Sequence, residues 1–296
     1  MSIRSVARAV LPASLRASLK RGQRRLRWYL ARARGAFMTR ELLVVGLAQV
    51  GVRRGDVLLV HSSLSSLGHV EGGPDTVIDA LLEVVGPEGT ILMPAYPVVG
   101  DWMTYINSDV VFDPRTSPSA MGVITDVFWR RPGVLRSLHP THPVAAYGPH
   151  AEYLVRDHEK SQSPCGPASP FRKLVELDGH ILHLGSPFCN TTSFHVVEDI
   201  VPDFPCKVYL DEPILMRYLD LEGVEHAVPV KIHDPVTAAT RIEKVKAKEQ
   251  EIYNCCRERG VVHTGKIGLA MVHLMEARAL EELLEELAAK GITIYA

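Results

Sequence analysis

Residues 57–89, VLLVHSSLSSLGHVEGGPDTVIDALLEVVGPEG, limit the folds open to this chain more than any other stretch. An apolar run ends in His61-Ser62-Ser63, and a loop of small polar residues leads to Gly72-Gly73-Pro74-Asp75. Apolar residues then recur at Val77, Ile78, Leu81, Leu82 and Val85, a helical spacing. A second apolar run covers residues 90–93. Strand, helix and strand in this order require a parallel pair joined by a right-handed crossover, the unit of α/β domains. The loop also has a chemical consequence. The first N–H groups of a helix lack intrahelical partners and sit at the positive end of its dipole, so the loop favours an anion, and its small side chains admit a thin ligand arm.

The rest of the chain extends the pattern. Thr39 is placed to cap a helix bearing Leu42, Leu43, Val45, Leu47 and Val50. Residues 94–120 are proline-containing and aperiodic, and read as a long functional loop. A short helix is expected over 120–130 and strands over 144–147 and 180–184. Residues 202–235 alternate apolar runs with charges, as in a small antiparallel insertion. Two amphipathic helices are expected over 238–259 and 270–290, then a last strand over 292–295.

The 296 residues, 46% hydrophobic and 23% charged, suit a globular protein with a sizeable core. The formal charge of −1 hides an asymmetry. Residues 1–40 hold eleven Arg and Lys and no acid, leaving 22 basic and 34 acidic residues, a net −12, in the remainder. Such a body disfavours nucleic acid and suits amine-bearing partners. The basic segment 1–36 reads either as a solvated extension or as a membrane-surface helix, with Leu26, Trp28, Tyr29 and Leu30 toward lipid. Five cysteines without a CxxC pair fit a reduced, cytoplasmic protein, peripheral at the inner membrane surface under the second reading. No apolar run approaches the ~20 residues that span a bilayer.

Three groups of residues carry chemical potential. His195 and Glu198 are three apart, on one face if the segment is helical, so the carboxylate can fix the imidazole tautomer and make its other nitrogen a better base. For an arbitrary HxxE, a helix-start histidine beside a solvated glutamate is the commoner outcome. His139 and His142 are also three apart, but Pro140 and Pro143 forbid a helical zinc register. With His150, His158 and His183 nearby, they leave a metal-dependent hydrolase as an alternative. Ser62, Ser63 and Ser65 offer hydroxyls and backbone donors, without the GxSxG elbow of a serine nucleophile. Arg136 and Lys266 could meet ligand phosphates or lie on the surface.

The wording of these segments is more specific than their spacing. HSSLSSLGHVEGGPDTVIDALLEVVGPEGTILMPAY, then Phe112-Asp113-Pro114-Arg115, Ser119-x-Met121-Gly122, Arg136-Ser137-x-His139-Pro140, Ser169-Pro170-Phe171 and Asn190-Thr191-Thr192-Ser193-Phe194-His195-x-x-Glu198 together resemble the aminoglycoside 3-N-acetyltransferase family. The resemblance runs from about residue 39 to the C-terminus. It implies an α/β fold, with a central mixed sheet flanked by helices and a smaller insertion over the acceptor cleft. It divides the chain into a basic extension, 1–38, and an acetyl-coenzyme A-dependent domain, 39–296. It implies that His195 is the general base, Glu198 its partner and His139 a third catalytic residue. The chain departs from the family at Pro143, where serine is usual. The coenzyme is expected on His61, Ser62, Ser63, Leu64, Ser65, Gly68, Gly72, Gly73 and Thr76, with no metal. The acceptor is expected to be a small amine, an aminoglycoside or an amino sugar of surface-polysaccharide assembly. The basic arm favours the second. A homodimer and a non-catalytic scaffold of the same fold stay open.

Overall fold

The computed structural model describes residues 37–98 and 102–296. Both readings of the basic arm fall on residues 1–36 and lie outside the described residues. Phe37–Met38, grouped with that arm by composition, instead form strand β1 of the folded domain and pair in parallel with His69–Val70, strand β3. No helix among the described residues is long and apolar enough to cross a membrane.

Helix α1, Arg40–Gln49, begins where the Thr39 hydroxyl accepts from the Leu42 N–H, and it buries Leu43 and Leu47. Strand β2 (Val57–Ser62), helix α2 (Pro74–Val85) and strand β4 (Thr90–Pro94) form the expected crossover unit, with β2 and β4 parallel. Strand β2 outlasts its apolar run and takes in His61 and Ser62. Both pair with strand β8 (His180–Leu184), His61 opposite His183.

The main sheet has seven strands, in the order β11 (Val262–Ile267), β12 (Ala270–Glu276), β8, β2, β4, β7 (Val144–Tyr147), β6 (Leu135–Arg136). Its centre, β8-β2-β4, is parallel and its flanks are antiparallel. Alternate residues of each strand serve opposite faces. Leu58, Val60, Ile91, Met93 and Leu182 pack toward α1, α2 and α4 (Val123–Phe128). Leu59, Leu92 and Ile181 pack toward α6 (Pro170–Glu176) and α9 (Ala277–Ala288). Both faces are covered, as a parallel centre requires.

The region expected to be an antiparallel insertion holds a hairpin of β9 (Ile214–Leu219) and β10 (Glu225–Val230). The long loop contributes to it: α3 (Trp102–Ile106) adds Ile106 to a small core with Met216 and Val230, and β5 (Val111–Phe112) pairs with β9. Helices α5 (Ala151–Val155) and α6 carry no sequence expectation and cover the sheet beside β7 and α9.

Three expectations at the C-terminal end are corrected. Residues 270–276 are strand β12 and not the start of a helix; α9 begins at Ala277. Ala, Met and Leu are good helix formers, but these residues complete the ladder between β8 and β11, and Val272 and Leu274 enter the core while Met271 stays exposed. The helix expected over 238–259 is confined to α8 (Lys246–Glu258); α7 (Pro235–Ala238) is a single capped turn before it. The final segment is not a ladder strand. Tyr295 makes one bridge with Arg241, and Ile242 N–H bonds the Ile294 carbonyl at 2.8 Å.

The strand assignment of 270–276 predicts a contrast. Val272→Ala should cost about 2 kcal/mol of unfolding free energy, whereas Met271→Ala should stay within about 0.5 kcal/mol. Urea unfolding of the two variants measures it; similar losses would contradict the alternation.

Candidate active site

The parallel strands β2, β4 and β8 share one C-terminal end, where α/β sheets place their ligand crevices. His61 and Ser62 close β2, Pro94 closes β4, and the chain leaving β8 supplies Ser186, Asn190, Thr191, Thr192 and His195. These line one cleft of about 330 Å³ that includes Tyr96, His142 and His195. Ser62 is shared with a groove of about 450 Å³ formed by Ser63, Leu64, Ser65, Gly68 and, across from them, Gly122. On its other side the cleft shares Trp102, His142, Asn190, Arg241 and Glu243 with a cavity of about 550 Å³ under the insertion. The three spaces meet at His195's cleft.

Residues 192–198 form a 3₁₀ helix and not an α-helix. With three residues per turn, positions i and i+3 eclipse. His195 and Glu198 are therefore stacked, and Nδ1 lies 2.6 Å from Oε1. Three further side chains converge on the same carboxylate: Tyr295 OH donates to Oε1 at 2.6 Å, His233 Nε2 lies 3.0 Å from Oε2, and Tyr209 OH donates to Oε2 at 3.3 Å. The Glu198 side chain is 0% exposed. Burial alone would push its carboxyl up. The adjacent imidazoles of His195 and His233 and their hydrogen bonds outweigh that and hold it well below the ordinary carboxylate range. An ionised carboxylate can only accept, so the His195 ring presents an Nδ1 proton to it.

Burial and the neighbouring Glu198 drive the phenols of Tyr209 and Tyr295 far above their usual range, so both stay protonated donors. His233 is lowered by burial, against the opposing pull of Glu198. His142, stacked on Trp102 with ring centroids 4.7 Å apart, is held neutral by burial and by the surrounding histidines His139, His233, His195 and His158.

His195 Nδ1, the Glu198 carboxylate and His233 Nε2 lie within 4.8 Å of one another, a set that could hold a cation. Two ligands of a tetrahedral zinc sit about 3.3 Å apart at ordinary bond lengths. The 2.6 Å between His195 and Glu198 is instead a hydrogen-bond distance.

His139 is set apart from the dyad. It is fully buried, stacks on His158 at 4.7 Å, and its Nδ1 accepts from the N–H groups of Thr141 and His142 at 3.3 and 3.2 Å. Burial lowers it to about 3. It shapes the turn that presents His142, which lines the cleft. His61, lowered to about 4 by burial, stacks on His183 at 4.7 Å. His61 Nε2 and Ser62 Oγ are buried without a hydrogen-bond partner and belong to cleft-lining residues. Ser63, Leu64, Ser65 and Gly68 form the neighbouring groove. Gly72, Gly73 and Thr76 line neither space; a Cβ at Gly72 would meet Thr76 Oγ1 at 2.3 Å, and one at Gly73 would meet nothing. Arg136 is a structural tether: its guanidinium donates to the carbonyls of Ser117 and Ala95 and lies over Trp129. Lys266 is exposed on the edge strand β11. All five cysteines are unpaired.

Residues 59–288 match the model of the aminoglycoside 3-N-acetyltransferase family. Aminoglycoside N(3)-acetyltransferase VII of Streptomyces paromomycinus is 32% identical over 264 residues, 81% of this chain and 88% of that protein. Aminoglycoside N(3)-acetyltransferase IV of a Salmonella species is 42% identical over 158 residues, but the match spans 57% of that protein. Aminoglycoside acetyltransferase AAC(3)-Xa superposes with a TM-score of 0.78 at 30% identity, over 91% of this chain and 99% of that one. AAC-IIIb, solved as a binary complex with CoASH, superposes with a TM-score of 0.72 at 29% identity, over 88% of this chain and 99% of that one. The chain belongs to the aminoglycoside 3-N-acetyltransferase family.

Buried histidines make stability depend on acid. The folded values of His61 and His139 lie below the ordinary 6.5, so the unfolded chain binds more protons between pH 6.5 and about 4 for His61 or about 3 for His139. Glu198 acts in the same direction below its unfolded value of 4.5. Stability should thus be full above pH 6.5 and fall on acidification, each histidine adding a slope of up to about 1.4 kcal/mol per pH unit. Urea midpoints at pH 7, 6 and 5 check it. His139→Gln, although less stable at pH 7, should show a shallower decline.

Proposed function

We propose that His195 is the general base for transfer of an acetyl group from acetyl-coenzyme A to an amine of an aminoglycoside or an amino sugar. The observation that carries this reading is the buried, four-donor Glu198, which holds the His195 proton on Nδ1 and leaves Nε2 to accept another in the cleft. Acetyl transfer from the coenzyme is the chemistry of the family, and the CoASH-bound relative supports the same donor here.

The pantetheine arm runs along the Ser63–Gly68 groove and reaches the cleft at Ser62. The acceptor enters from the cavity beneath the insertion. His195 Nε2 takes a proton from the amine as its nitrogen attacks the thioester carbon. The C–N bond forms, the carbonyl electrons move to oxygen and return, and the C–S bond breaks as His195 Nε2 passes that proton to the leaving sulfur, so coenzyme A departs as the thiol and the base is restored. His61 Nε2 and Ser62 Oγ, unpaired in the protein, supply hydrogen bonds for the transient oxyanion. A thioester is already activated, so no acyl-enzyme is required. Tyr96, whose hydroxyl is 2.8 Å from Thr192 Oγ1, and Trp102 form the wall against which the acceptor packs.

His195→Ala should lower turnover roughly 10²–10⁴-fold, the usual contribution of a positioned base, with coenzyme affinity nearly unchanged. Thiol release with acetyl-coenzyme A and a panel of amines measures it. Near-native turnover of the variant would remove His195 from this role.

Coenzyme A should raise the melting temperature by binding the folded state. Ser65 is exposed and lines the groove, so Ser65→Trp should fill the groove, spare the fold and abolish the shift. Met271→Ala, at an exposed position outside the groove, should keep it. An unaltered shift in Ser65→Trp would put the arm elsewhere.

A further inference from the structure

We propose that the arginines ahead of strand β1, Arg32 and Arg34 foremost, are the counter-charge for the phosphates of coenzyme A. This rests on the acetyl-transfer reading above, which lays the pantetheine in the Ser63–Gly68 groove, and it assigns the other end of the same ligand.

Coenzyme A brings a pyrophosphate and a phosphomonoester, together about −4 near pH 7. The body it meets has a net −12 outside residues 1–40. Exposed charges of one sign repel within a Debye length of about 8–10 Å, so cations are needed close to the phosphates. The groove does not supply them. Among the described residues that line it there is no Lys or Arg, and His69 alone can carry a positive charge. The N-terminus of α2, the other feature that attracts anions, does not open on the groove, since Gly72, Gly73 and Thr76 are not part of its lining. Cations on the neighbouring helices are committed: Arg40 to Glu83 at 2.6 Å, and Arg131 to Asp75 and Asp79 of α2 at 2.7 and 2.6 Å. Glu71, directly after β3, is exposed and adds negative charge.

The fold brings another source of charge to this edge. Phe37 pairs with His69 and Met38 with Val70, and both partners line the groove. The Phe37 ring stacks on the His69 ring, with centroids 5.4 Å apart. The pairing is parallel, so the chain enters β1 on the side of Gly68, which also lines the groove. The eleven Arg and Lys of residues 1–40, less Arg40, leave ten in residues 1–36, with no acid. Arg34 precedes Phe37 by three residues and Arg32 by five. With consecutive α-carbons 3.8 Å apart, connectivity alone limits them to about 11 and 19 Å from that of Phe37. A guanidinium presents a planar fork of donors that matches phosphate oxygens.

The polarity of the ligand agrees. Ser62 is shared by the groove and the His195 cleft, where the thioester must sit, whereas His69 and Val70 line the groove alone. The phosphates lie at the end of the pantetheine remote from the thioester, so they belong outside the cleft, on the side where β1 begins.

The test is calorimetric titration of the full-length protein and of its double variant Arg32→Glu/Arg34→Glu with coenzyme A and with pantetheine, at about 0.05 and 0.3 M salt. At the lower salt the double variant should bind coenzyme A about tenfold more weakly, whereas pantetheine, which has no phosphate, should bind both proteins equally. Raising the salt should weaken coenzyme A more in the wild type than in the variant. Arg32→Lys/Arg34→Lys should keep most of the wild-type affinity. Coenzyme A affinity within about twofold of the wild type in the charge-reversed variant would overturn the assignment. So would an equal loss for pantetheine, which would mark a structural role. Lipid headgroups also carry phosphate, so both proteins are sedimented with phosphatidylglycerol vesicles. Vesicle binding that the variant loses while its coenzyme A affinity stays intact would assign the arginines to a membrane instead. If the wild type binds neither coenzyme A nor pantetheine, the transferase reading itself fails.

Discussion

One buried carboxylate organises the functional half of this molecule. Glu198 is shut off from water, and an ion in that position costs several kcal/mol unless its oxygens are fully engaged. Its partners come from distant parts of the chain: His195 from the same 3₁₀ turn, Tyr209 and His233 from either side of the β9–β10 hairpin, and Tyr295 from the last two residues. The insertion and the C-terminal segment must both dock before the carboxylate is satisfied. Removing one partner from such a cluster typically costs about 3–5 kcal/mol, because the charge remains buried. The site therefore ties three separate segments into one cooperative unit, and the same bonds orient the His195 ring.

That dependence explains what could be read in advance. The β2–α2–β4 unit and helix α1 are local: the periodicity and glycines of the one and the Thr39 cap of the other lie within short windows, and the structure matches them closely. The His195–Glu198 pair is also local, since spacing of three is enough to join them in a tight helix. The remaining partners have no local signature. Nothing near Tyr295 or His233 in sequence signals a contact with Glu198. Strand β12 was hidden for a related reason: Ala270, Met271, Leu274 and Met275 favour a helix in isolation, and only the ladder to β8 and β11 overrides them. His139 illustrates the converse. Its motif resembles a catalytic one, but its neighbours bury it one layer behind His142.

Charge shows the same gap between composition and placement. The acidic body suits a cationic acceptor when the chain is treated as a whole. Screening confines each charge to its surroundings, so the lining of the cleft decides what enters it. Residues 231–244 run through the link between the insertion and α8, and bring Lys231, Arg241 and Lys244 to the cavity under the insertion.

The central claim, that Glu198 holds His195 as a base with its lone pair on Nε2, is open to direct observation. Nitrogen-15 NMR of histidine-labelled protein, at a pH where the His195 ring is neutral, distinguishes the two tautomers by their ring-nitrogen shifts. The account predicts a protonated Nδ1 and a bare Nε2 at His195, with the Nδ1 proton far downfield in its bond to Glu198, and loss of that single tautomer in Glu198→Ala. A His195 ring protonated on Nε2, or a tautomer indifferent to Glu198→Ala, would contradict it.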